Sequence, residues 1–71
     1  MRLFDLLQVL ETEQKIRVIN VDTLEIIDGV VKRAFGWFTF EEFENIMIDG
    51  DIKTENNIII VNIFNVGDYH K

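Results

Sequence analysis

Apolar residues recur near the start of the chain at Leu3, Leu6, Leu7 and Leu10, the i, i+3, i+4, i+7 spacing of one helical face. The spacing predicts a helix over Leu3 to Glu11. Phe4 and Val9 widen its stripe to an arc of roughly 220°, where a helix lying on a core needs about 100° or somewhat more. Arg2, Asp5, Gln8 and Glu11 form a narrow polar side. The excess points to self-association through Leu3, Leu6, Val9 or Leu10, as a homodimer.

The pattern then changes period. Ile16 and Val18 alternate with Lys15 and Arg17, which predicts a strand over Lys15 to Val21 with one wet side. Asp22-Thr23 supplies turn chemistry, and Leu24 to Lys32 reads as the return strand. Asp28-Gly29 within it fits the type I′ turn of a tight hairpin or a bulge in one longer strand. The bulge is favoured, because Asp22-Thr23 already turns the chain. Gly36 marks a break, and Thr39-Phe40-Glu41-Glu42 fits a capping box. The helix that follows carries Phe40, Phe43 and Met47 on its apolar side and ends near Asp49-Gly50. Asp51 to Thr54 is a short strand and Glu55-Asn56-Asn57 a turn. Ile58 to Val66, apolar on both faces except at Asn62 and Asn65, suits the inside of a sheet. The tail, residues 67–71, is expected to fray.

These elements give one small α+β domain over residues 1–71, in αββαββ order, an antiparallel sheet with two short helices. A chain of 71 residues buries only about 60% of the surface its unfolded form exposes. It has no cysteine, so disulfides and thiolate zinc sites are excluded. Eleven isoleucines do the stapling. No signal peptide and no apolar run long enough for a membrane helix is recognised, so a cytoplasmic location without membrane contact is expected.

Charge adds an asymmetry. The net charge is −6. Residues 1–37 carry five basic and six acidic side chains and residues 38–71 two and seven, so the halves stand at −1 and −5. An acidic surface repels phosphate backbones, which disfavours direct nucleic-acid binding and favours basic partners. The bland alternative is that the acids only keep an apolar small protein soluble.

Little in the chain suits catalysis. Serine and cysteine are absent, and the one histidine, His70, lies one residue from the end. A catalytic base needs fixed geometry, so neither His70 nor Tyr69 is a candidate. Asp49-Gly50-Asp51 with Glu55 resembles part of a calcium loop, but the glycine comes second and Lys53 takes the fifth position, against the pattern such a loop needs. A polar turn between helix and strand is the simpler reading. The four glycines are isolated and form no phosphate cradle. No enzyme activity, metal or cofactor is expected.

Two segments remain as binding candidates. Phe35, Trp37, Phe38, Phe40 and Phe43 crowd nine residues behind Lys32 and Arg33. Phe40 and Phe43 suit the anchoring of the second helix. Phe35, Trp37 and Phe38 either close the core or form a protein-contact patch of the kind aromatics anchor, with stacking on single-stranded bases as a third possibility. Glu41, Glu42, Glu44, Asp49 and Asp51, with Glu55 and the single counter-charge Lys53, form either a solvated face or a negative surface that occupies another protein's nucleic-acid channel.

Leu3-Phe4-Asp5-Leu6-Leu7-Gln8-Val9-Leu10, followed by Glu13-Gln14-Lys15-Ile16-Arg17-Val18, resembles short uncharacterised proteins encoded by phages and prophages of low-GC Gram-positive bacteria. The likeness is best over residues 3–33, extends to the Ile-rich final strand and is weak from Ala34 to Phe43. Its motifs are structural and carry no catalytic residue across. It implies a mobile-element origin, where small acidic proteins often bind a host protein and some inhibit CRISPR-type defence. The expected function is therefore a non-enzymatic protein-binding accessory protein, an inhibitor of a host defence or nucleic-acid-handling protein. The alternatives are a self-associating phage assembly protein and a weak binder of single-stranded nucleic acid.

Overall fold

The structure is a computed structural model that describes residues 1–66. The frayed tail expected at residues 67–71, with Tyr69 and His70, lies outside the described residues. Helix α1 spans Leu3–Val9. Asp5 in its first turn suits the positive end of the helix dipole, and Leu10 turns extended to end it. Strands β1 (Lys15–Asn20) and β2 (Ile26–Val30) follow. A single-turn helix α2 (Val31–Ala34) and helix α3 (Phe40–Asn45) then lead into β3 (Ile46–Ile48), β4 (Lys53–Glu55) and β5 (Ile58–Asn65).

The strands form one five-stranded sheet in the order β2-β1-β5-β3, with β4 also paired to β5. The class is α+β, and the sheet is mostly antiparallel. The exception is the central β1–β5 pair, which runs parallel from Lys15↔Ile58 to Asn20↔Ile63. Parallel neighbours need a long crossover, and here everything from β2 to β4 provides it. Strand β5 has partners on both sides, as its two-sided apolar pattern predicts.

Strands β3 and β4 lie end to end along one edge of β5. Ile48 pairs with Ile63 and Lys53 with Ile60, so four residues, 49–52, stand opposite Val61 and Asn62. This is a wide bulge, and Gly50 takes φ +73° within it, a conformation that costs glycine nothing. The β4–β5 connection is a two-residue loop in which Asn56 and Asn57 both have positive φ, the type I′ geometry that matches strand twist.

Alternation sorts each strand onto two faces. Ile16, Val18, Val61, Ile63 and Ile46 point to one face and are buried against Leu3, Leu6 and Leu7 of α1, Val31 and Ala34 of α2, and Phe43 of α3. Removing each such aliphatic side chain from water contributes about 1.5–3 kcal/mol. Among the described residues, no side chain pointing to the other face is buried. The described residues thus form two layers, helices on sheet, and leave the other sheet face uncovered.

Several expectations change in detail. Asp28-Gly29 is neither a turn nor a bulge: Arg17↔Asp28 and Ile16↔Gly29 continue an unbroken register. The glycine is required because a Cβ there would meet Trp37 Cζ2 at 2.7 Å, so the indole lies directly on the β2 backbone. The return strand stops at Val30 rather than Lys32. The second helix ends at Asn45, and the apolar residues expected in its tail form β3 instead. Asp49-Gly50-Asp51 consequently joins two strands, not a helix and a strand. The expected dimer surface on α1 is mostly consumed within the chain: Leu3 and Leu6 are buried and Leu10 packs on the core, while Val9 alone of the four is exposed.

Candidate protein-binding site

The capping box at α3 forms as the sequence predicts. Glu42 N donates to Thr39 Oγ1 at 3.1 Å, and Thr39 N donates to Glu42 Oε1 at 2.8 Å. It fixes where α3 begins and therefore where its aromatic residues point. Phe43 drops into the core. Phe40, three residues earlier at the first helical position, stands 76% exposed.

The aromatic rings form a chain across the helical layer. Phe35 meets the edge of Phe4 at 5.7 Å between centroids, Phe4 lies 5.2 Å from Phe43, and Phe43 lies 5.4 Å from Phe38. Edge-on and tilted pairs of this kind contribute about 0.5–1.5 kcal/mol each beyond their burial. Beside this chain, Arg2, Phe4, Phe40, Phe43 and Glu44 line a groove of about 190 Å³. Arg2 at its rim pairs with Asp5 at 3.3 Å, and the guanidinium holds the Asp5 carboxyl below its ordinary value.

The residues expected to form a contact patch are divided by the fold. Trp37 and Phe38 are half-buried, the first on Gly29 and the second against Phe43. Phe35 remains partly exposed and reaches the groove only through Phe4. Phe40 and Phe4 supply the accessible apolar surface in their place. The periodicity put Phe40 and Phe43 on one side of α3, but a six-residue helix buries only one turn. The ring at its first position stands about one turn above the other.

The acids are divided as well. Glu41 and Glu44 are exposed on α3, and Glu44 borders the groove. Glu42 is committed to the cap. Asp49 and Asp51 lie on the β3–β4 bulge, separated from α3 by the three residues of β3, about 10 Å of strand. Lys32, one of the two cations preceding the aromatic segment, pairs with Glu13 at 2.8 Å.

No group of three or more metal-ligating side chains gathers among the described residues, and no helix there is long and apolar enough to cross a membrane. Comparison with protein-family models, curated proteins and solved structures finds no match.

Proposed function

We infer that the chain is a non-enzymatic protein-binding module that docks on a basic partner surface through the groove beside Phe40. The observation that carries this reading is a large aromatic ring, 76% exposed, held at the lip of a groove walled by Phe4 and Phe43. Aromatic anchors with a polar rim dominate interface energetics. Glu44 borders the groove, Glu41 lies exposed on the same helix, and the −6 net charge steers encounter with a positive partner. A nucleic-acid-handling or defence protein of a bacterial host offers such a surface, in keeping with the phage-type resemblance of residues 3–33.

The test compares proteins captured from a susceptible host by the native chain, by Phe40→Ala and by Glu41→Lys/Glu44→Lys. A partner that is retained by the native chain, loses at least tenfold in affinity with Phe40→Ala and is released by moderate salt supports the reading. Capture of the same proteins by all three chains overturns it.

A further inference from the structure

The open sheet face has its own order. The pairing registers align Asp28, Arg17, Ile60 and Lys53 in one row across β2, β1, β5 and β4, and Val30, Lys15, Ile58 and Glu55 in the next. Towards the other end lie Ile26 and Ile19 beside Asn62, then Phe64 beside Met47. Arg17 Nε donates to Asp28 Oδ1 at 2.6 Å, and the carboxylate raises the arginine's pKa further. A shallow groove of about 310 Å³ follows this pair between Lys15, Val30 and Ile58.

We propose that this face is a homodimer interface, in which two copies stack sheet on sheet about a two-fold axis parallel to the strands. Sheets with one apolar face pack at about 10 Å with strands nearly aligned. Rotation about that axis lays each row over itself reversed. Asp28 then opposes Lys53 of the partner subunit, Arg17 opposes Ile60 of the partner subunit, and Lys15 stands one strand from Glu55 of the partner subunit. The ends of the first row carry opposite charge, so that row is complementary to itself, while in the second row Glu55 of the partner subunit lies over Val30. An axis across the strands would instead set the charged rows against Phe64 and Met47.

Charge distribution points the same way. Among the described residues this face holds three cations, Lys15, Arg17 and Lys53, and two carboxylates, Asp28 and Glu55, in a chain of net charge −6. With one more cation than carboxylates there, stacking two copies on this face does not set acid against acid. Four strands of up to eight residues present about 500 Å² per copy. The pair buries about 1,000 Å², the lower limit for a specific interface. The helical layer faces outward in this arrangement, so the dimer displays two Phe40 grooves.

Sedimentation equilibrium of the full chain up to about 1 mM tests the proposal. A reversible monomer–dimer equilibrium is expected. Lys53→Glu and Asp28→Lys, both exposed, each place two like-charge contacts in the homodimer and should raise its dissociation constant at least tenfold. An equimolar mixture of the two variants should recover native affinity, because Lys–Glu and Asp–Lys contacts are then both restored. Lys53→Glu leaves the Arg17–Asp28 pair untouched, and circular dichroism confirms that each variant is folded. A strict monomer throughout the range overturns the proposal. So does a dimer indifferent to both reversals, or one lost with Val9→Lys and kept with Lys53→Glu. Phe40→Ala should leave the dimer intact, which separates this result from the partner-binding reading.

Discussion

The two faces of β5 are built from nearly the same residues and meet opposite fates. Ile59, Val61 and Ile63 look into the helical layer, where Val61 and Ile63 are buried completely or nearly so. Ile58, Ile60 and Phe64 look away from it and are only partly buried. The difference lies in what crosses over the sheet. Helices α1, α2 and α3 bring Leu3, Leu7, Val31, Ala34 and Phe43 to one side and nothing to the other. Hydrophobicity along a strand therefore reports how much apolar surface must be covered, not which element covers it. Here one chain covers about half.

The contrast is broken most strongly by shortening one residue on each side. Val61→Ala should cost about 1–3 kcal/mol, because it leaves a cavity among packed side chains. Ile60→Ala on the open face should cost the dilute monomer well under that, since water and its neighbours close around the gap. Urea denaturation at low protein concentration measures both. Equal losses would mean that the open face is covered within the monomer.

A second change acts on the covered side alone. Gly29→Ala places a methyl 2.7 Å from Trp37 Cζ2, so the indole or the strand must shift. Overpacking of this kind costs about 1–3 kcal/mol. Tryptophan fluorescence should move to longer wavelength as the ring is displaced, and a spectrum unchanged from the native chain would show that the indole does not rest on β2. The neighbouring substitution Asp28→Ala, on the open face, should leave that spectrum alone.

Which features were legible follows from the range of the interactions that make them. The α3 start was readable because Thr39 and Glu42 satisfy each other within four residues. The β4–β5 turn was readable because Asn56-Asn57 carries its conformation locally. Helix α2 was not, since its single turn shows no period and it has no side-chain cap. Its first amides instead donate to distant carbonyls, Val31 N to Gln14 O and Lys32 N to Thr12 O, both at 2.9 Å. Ile46-Met47-Ile48 continues the periodicity of α3, and only pairing with β5 makes it a strand. The parallel β1–β5 pair has no local signature. At the candidate site, the sequence marks the aromatic segment and the acids as two candidate groups, and the fold divides both. The sequence pattern misassigned Phe40, because the depth to which a short helix sinks depends on α1 above it and β3 below.

The smallest contrast between the layers is electrostatic. Among the described residues each has one arginine–aspartate pair: Arg17–Asp28 across strands at 2.6 Å, and Arg2–Asp5 along the start of α1 at 3.3 Å. Arg2 lowers the Asp5 pKa below its ordinary value of 3.8, first by the side-chain hydrogen bond and then by its charge. A carboxyl that binds its proton less readily when folded stabilises the fold above the unfolded pKa, and that contribution fades as pH falls through the lower folded value. Asp5→Asn should therefore make the chain slightly less stable than native at neutral pH, with the two converging as pH falls through the lowered Asp5 value. The pair is exposed to solvent, so the gap should also shrink in high salt. Thermal melts of both chains across this range check the sign. A gap that persists into strong acid would assign the role of Asp5 to packing against the first turn rather than to its charge.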